Sequence, residues 1–376
     1  MAVSIVNADI VTPNAVIRGG LAAEHGMISE IGTDHGGEDF DGDFLIPGII
    51  DIHTDNLEKH FFPRPGVDWN TQSAAIIHDS MCASVGVTTV FDSLSVGSWS
   101  SNEARHLENM IKLVDGLEQA THAGMLKAQH FIHWRCETSS PVLADLLDQL
   151  IEKELTRLLS VMDHTPGQRQ YPDIEKHKAR WREHLNLSDS EIEERIKNAL
   201  ANQAKFSPAN RETVSKVAKA RDLSLASHDD QLPSHVEEAK AIDAHISEFP
   251  TTLEAAGLAK EYGMTVVMGA PNLMRGGSYS GNVSASDLAH EGLLDAFASD
   301  YVPRSMIEAA FALTQEPFGW STPEAVATVT KAPAESVGLT DRGAIEEGKR
   351  ADFIRVHIKD GRPLIRGVWV KGERVS

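Results

Sequence analysis

His53 and Asp55 lie two residues apart in the segment Ile49-Ile50-Asp51-Ile52-His53-Thr54-Asp55. In a strand, a period of two turns both side chains to one face, where an imidazole and a carboxylate can hold one cation. An H-x-D triplet alone is weak, being more often incidental than a site. Glu137, His164, His228 and Asp300 strengthen it, because each falls at or next to the end of an apolar run of its own. A lone buried histidine is more often hydrogen-bonded core than ligand, but six such groups at matching positions need a common reason. Imidazole and carboxylate donors without thiolate suit zinc, with manganese and iron as alternatives. Two ions about 3.5 to 4 Å apart acidify a water between them and so make a nucleophile near neutral pH. The expectation is two divalent metal ions, with Asp300 as the proton acceptor.

The elements that must position these groups recur along the chain. Apolar, β-rich runs begin at Ile49, Val87, His130, Arg157, Ser224, His245, Thr265 and Ala296, and each starts apolar and ends polar. Segments with helical spacing, such as PVLADLLDQLIEK and LEAAGLAKEYG, separate them. About eight βα units predict a (β/α)8 TIM-type barrel, whose chemistry sits where the carboxyl ends of the strands converge. The expected barrel spans residues 46–340, with a helical insertion at about 165–223 over its mouth and a capping box at Ser188 and Glu191. Residues 1–45 and 341–376 alternate apolar and polar and are expected to pair into one small β domain.

Substrate-facing candidates follow from the same topology. The stretch Gly269 to Asn282 is glycine-rich and carries Arg275, so Gly276, Gly277 and Ser278 could turn donors toward phosphate oxygens beside a forked guanidinium. A turn that merely needs glycine explains the pattern nearly as well. Arg64, Arg135 and Arg169 stand at or just past strand ends and are expected at the same mouth; Lys59 and His60 could join them, although a lone loop lysine is usually just solvated. Asp229 and Asp230 could orient His228 as hydrogen-bond acceptors. His78 and the acidic run Glu191 to Glu194 read as packing and surface features.

Composition narrows the classes of partner. Fifty-five acidic against 35 basic residues give a formal net charge of -20, which repels nucleic acid and anionic membranes. A small anionic substrate stays compatible, because local arginines or metal ions outweigh distant, screened charge. No secretory leader or membrane-length apolar run is evident, and two cysteines do not make a disulfide framework, so a cytoplasmic protein is expected, with homo-oligomerisation left open.

PGIIDIHTD resembles the first-strand signature of the amidohydrolase superfamily, and RGAIEEGKRADFIRV resembles its C-terminal re-entry strand; together they span nearly the whole chain. HTDNLEKHFFPRPGVDW, MDHTPGQRQ, SHDD, EFPTTLEAA, MGAPNLMRGGSYSGNV and ASDY are similar to the ribose 1-methylphosphonate 5-triphosphate diphosphatases of the carbon-phosphorus lyase pathway. Two departures from the commoner pattern stand out: Asp55 replaces a second histidine, and no strand-end lysine is available as a carbamylated bridge, a role Glu137 could take. The resemblance implies His53, Asp55, Glu137 and Asp300 around one metal, and Glu137, His164 and His228 around the other. It also implies attack of water on the α-phosphorus of a ribosyl 5-triphosphate, with pyrophosphate leaving. A cyclic-amide or N-acyl hydrolase shares fold and metals and is the first alternative. A catalytically inactive scaffold is the second, disfavoured because all six candidate ligands are present.

Overall fold

The computed structural model describes residues 3–32, 36–64, 66–97, 105–170, 173–185, 187–278 and 281–376. Two sheets organise the chain. The first draws on both termini: β1 (Val3–Val11), β2 (Val16–Glu24), β3 (Met27–Ile31), β4 (Glu38–Asp39) and β5 (Phe44–Pro47). The second holds the eight strands between them: β6 (Ile49–Thr54), β7 (Val87–Val96), β8 (Gln129–Glu137), β9 (Thr156–Met162), β10 (Ser224–His228), β11 (Ile246–Glu248), β12 (Thr265–Gly269) and β13 (Ala296–Ala298). The chain then returns to the first sheet with β14 (Phe353–Lys359), β15 (Arg362–Val370) and β16 (Glu373–Arg374).

β6 to β13 pair in sequence order, every ladder parallel. A parallel bridge between Thr54 and Asp300 joins the end of the last strand to the end of the first. The sheet thus curls into the expected (β/α)8 barrel, and all eight strand runs foreseen in the sequence are strands. Its interior is filled by Ile50, Ile52, Phe91, Phe131, Leu158, Ala226, Ile246, Val267, Ala296 and Ala298, a packed core of the kind such barrels carry. Outward-facing Val87, Val90, Ile132, Leu159 and Val266 pack under the helices instead. Entry into the barrel requires glycine: a Cβ on Gly48 would lie 2.2 Å from Thr88 Oγ1.

In the first sheet the order is β16-β15-β14-β5-β1-β2-β3, with β4 beside β1, so strands from the two ends of the chain meet where β14 pairs with β5. Phe40, Phe353 and Trp369 stack at its core.

Between β9 and β10 lie two helices, Ile174–Leu185 and Asp189–Ala220, and the capping box at Ser188 and Glu191 opens the second. That helix has two duties. Its later half buries Val214 and Ala218 in the main core, and its Asn210 side chain donates to the Thr138 and Ser140 carbonyls. The later half is therefore the ordinary crossover helix of a βα unit, and only the remainder is additional.

Candidate metal centre and active site

Five of the six foreseen ligands come together at the carboxyl ends of the strands, in two groups. His53, Asp55 and Asp300 offer one ligand atom each within 4.8 Å of one another, and so do His164, His228 and Asp229. Local geometry brings them there. Asp300 sits at φ +55 just past β13, where its N–H donates to the His53 carbonyl at 2.9 Å and its own carbonyl accepts from the Asp55 N–H at 2.8 Å. The closure of the barrel and the pairing of Asp300 with His53 and Asp55 are one event.

The sixth, Glu137, stands apart from both groups: its carboxylate accepts from His164 Nδ1 at 2.9 Å and from the Ser139 hydroxyl at 2.8 Å. Asp229, expected only as a support, faces His228 Nε2 at 3.3 Å and His164 Nε2 at 3.8 Å. Asp230 does not touch His228: it accepts from Ser227 Oγ at 2.8 Å and from Arg169. Glu248, at the end of β11, was missed. Its oxygens lie 2.7 Å from His53 Nδ1 and 2.6 Å from His228 Nδ1. The signal was present, because Glu248 is a polar ending of a strand run like the six that were chosen.

Electrostatics favour a cation here. Burial opposes charge on His53, but the Glu248 and Asp55 carboxylates outweigh it and raise its pKa to about 10. Asp300 is held above the usual carboxylate range by burial and by neighbouring Asp55, against the pull of His53 and Arg135. Burial also disfavours charge on Asp55, yet Arg135 Nη1, 2.9 and 3.1 Å from its two oxygens, holds its pKa far below normal. The buried atoms without a hydrogen-bond partner include one from each group, His53 Nε2 and Asp229 Oδ2. Orphaned donor atoms of these types, converging among carboxylates, fit a metal ion.

A cavity of about 480 Å³ opens beside the groups, lined by Asp229 and Asp300 and also by Asn272, Arg275, Gly277, Ser278 and Tyr301. The glycine-rich stretch behaves differently from the phosphate cradle expected of its backbone. Ala270–Met274 is a short helix, and the N–H groups of Gly276 and Gly277 donate to the Leu273 and Asn272 carbonyls at 3.1 and 2.9 Å. With φ of +77 and +147, these glycines end the helix. From this stretch Asn272, Arg275, Gly277 and Ser278 line the cavity, and the Arg275 side chain donates to the Tyr301 hydroxyl at 3.2 Å; Tyr279 and Ser280 lie outside the described residues.

The other arginines divide. Arg135 is buried among the ligands, its Nη2 3.4 Å from His228 Nε2. Arg169 turns inward instead of toward the mouth, buried between Asp230 and Glu238. Arg64 is exposed and, among the described residues, is not part of the cavity wall. Lys59 is exposed, 6.0 Å from the centre of the Tyr301 ring.

A parallel eight-stranded barrel with imidazoles and carboxylates gathered at its carboxyl rim defines a class, the barrel hydrolases that work with metal. The chain matches the amidohydrolase family over residues 44–375 and belongs to it, as a metal-dependent hydrolase. It is 41% identical to the α-D-ribose 1-methylphosphonate 5-triphosphate diphosphatase of Escherichia coli (strain K12), with 99% of each chain covered. Among solved structures it resembles a putative prolidase from Bifidobacterium longum, with a TM-score of 0.67 at 16% identity over 100% of this chain and 94% of that one. It also resembles N-acetylglucosamine-6-phosphate deacetylase from Pasteurella multocida, with a TM-score of 0.64 at 14% identity over 100% of both. These two likenesses speak for the fold alone.

Proposed function

We propose that the chain hydrolyses the anhydride between the α and β phosphates of α-D-ribose 1-methylphosphonate 5-triphosphate, giving the 5-phosphate and pyrophosphate in phosphonate breakdown. The observation that carries this reading is the 41% identity, across 99% of both chains, to an enzyme of that name. The cavity supports it, since one wall offers Arg275 and Ser278 while the floor offers Asp229 and Asp300.

His53, Asp55 and Asp300 would hold one divalent cation and His164, His228 and Asp229 a second, zinc being the first choice for these donors. Bound there, the cations supply Lewis acidity toward phosphoryl oxygens and acidify water. The protein does the rest. Asp300, kept basic by its burial, accepts the proton of the water whose oxygen bonds to the α-phosphorus. Arg275 neutralises charge on the oligophosphate oxygens as the α–β bridging oxygen leaves with pyrophosphate. Arg135 holds the Asp55 carboxylate in its ionised, ligating form. A cytoplasmic setting goes with this reading, since Cys82 and Cys136 are both free thiols.

The test offers purified protein the ribosyl triphosphate and, separately, a panel of cyclic amides and N-acyl compounds. Pyrophosphate release with the first and no turnover of the second is expected. Turnover confined to the amides would move the chain to the C–N hydrolases of its family.

A further inference from the structure

Glu248 touches two histidines with one carboxylate. Oε1 lies 2.7 Å from His53 Nδ1 and Oε2 lies 2.6 Å from His228 Nδ1, at a residue only 1% exposed, so water does not compete for either oxygen. Both of its oxygens are thereby taken up by ring nitrogens. An ionised carboxylate has no proton to give, so both contacts require the proton on Nδ1 of each ring. That choice leaves a lone pair on each Nε2, and Arg135 Nη2 approaches that of His228 at 3.4 Å. His53 Nε2 is 3.6 Å from Asp55 Oδ1, and His228 Nε2 is 3.3 Å from Asp229 Oδ2. The rings lie stacked with centroids 5.6 Å apart and planes 17° off parallel, side by side above one carboxylate.

We propose that Glu248 is a positioning residue shared by the two halves of the centre: it sets the ligating tautomer of His53 through one oxygen and that of His228 through the other, so each cation site depends on its own contact to this one carboxylate. This rests on the two-cation reading above. A carboxylate behind a ligating imidazole is worth roughly 10- to 100-fold in metal affinity. Here one carboxylate stands behind two, and that arrangement makes an asymmetric prediction. A glutamine has a single acceptor oxygen, so it can serve one Nδ1–H; its amide N–H would face the other Nδ1 and force that ring's proton onto Nε2, the atom needed for the metal. Alanine would serve neither.

The experiment strips wild type, Glu248→Gln and Glu248→Ala with chelator, checks each by circular dichroism and melting, and titrates zinc by calorimetry. Histidine Nδ1–H resonances are recorded in stripped and loaded protein. Wild type should bind two zinc ions and show slowly exchanging, downfield Nδ1–H signals assigned to His53 and to His228. Glu248→Gln should keep one site near wild-type affinity, weaken the other about 10- to 100-fold, and lose one signal. Glu248→Ala should weaken both sites and lose both signals. Unchanged affinities, or survival of the His53 and His228 signals in the alanine variant, would overturn the proposal. If wild type takes up no zinc while the signals disappear one by one, the tautomer role holds and the two-cation reading fails.

Discussion

At the scale of single residues the centre is built from carboxylates with different tasks. Asp300 is buried against His53 and Asp55 and faces the cavity, which suits it to take a proton; Asp55 is neutralised by Arg135 and suits only ligation. Asp300→Asn keeps the shape and both backbone hydrogen bonds to the first strand but cannot accept a proton. Pyrophosphate release should therefore fall by about 10² to 10⁴ in kcat, with melting temperature little changed. Among the described residues, Arg275 is the cation that lines the cavity wall. Its replacement by alanine should lower kcat/KM for the triphosphate by roughly 10- to 100-fold, the worth of a charge-assisted hydrogen bond, and leave zinc binding untouched. The histidines and Asp300 were legible in sequence because they end apolar strand runs. Glu248 obeyed the same rule and was passed over, while Glu137 obeyed it and turned to His164 instead. Strand position says that a side chain reaches the rim, and only packing says which neighbour it meets there.

Among the elements, the helix Thr71–Ser84 is tied to the barrel wall by a buried polar chain that no periodicity announces. His78 Nε2 on that helix meets Asp92 Oδ1 of β7 at 2.7 Å, Asp92 Oδ2 meets His130 Nδ1 of β8 at 2.7 Å, and His130 Nε2 meets Asp79 Oδ1 at 3.3 Å. Asp79 in turn accepts from the N–H groups of Lys127 and Ala128. The chain bonds its members so fully that structure alone accounts for it. Burial opposes charge on His130, but Asp92 and Asp79 outweigh it and raise its pKa to about 9. A group whose pKa rises on folding binds its proton more tightly in the native state. Its contribution is therefore complete below pH 6.5 and disappears as the pH climbs through 9. Asp92→Asn should destabilise the protein by about 3 to 5 kcal/mol near neutral pH, since it leaves a buried partner uncompensated. It should also flatten the decline in melting temperature expected of wild type between pH 6.5 and pH 9. Equal slopes for the two proteins would assign that decline to other groups.

For the whole molecule, the net charge of -20 and the rim of carboxylates act in the same direction, attracting cations before any substrate arrives. Metal should bind the native state alone, because the ligands are spread from His53 to Asp300 and meet only when the barrel closes. Each site would add about 2.7 kcal/mol at a metal concentration a hundred times its Kd. Stripping with chelator should lower the melting temperature, and zinc should restore it; no shift would count against a native centre. Among the described residues, no helix is long and apolar enough to cross a membrane.

The sequence by itself determined the eight strands, their parallel order, the return of the chain end to the first sheet and the rim position of His53, Asp55, His164, His228 and Asp300. These follow from alternation, run length and polar endings, which are local properties. Tertiary structure alone decided who faces whom: Glu248 under two imidazoles, Asp229 in place of Glu137, and Arg169 turned inward to Asp230. It also made Gly276 and Gly277 the end of a helix where a phosphate cradle was expected. The physical reason is common to the three side-chain cases. A side chain at a strand end sweeps several ångströms by rotating about χ1 and χ2, so its partner is chosen by charge and hydrogen bonding among neighbours that lie far apart along the chain.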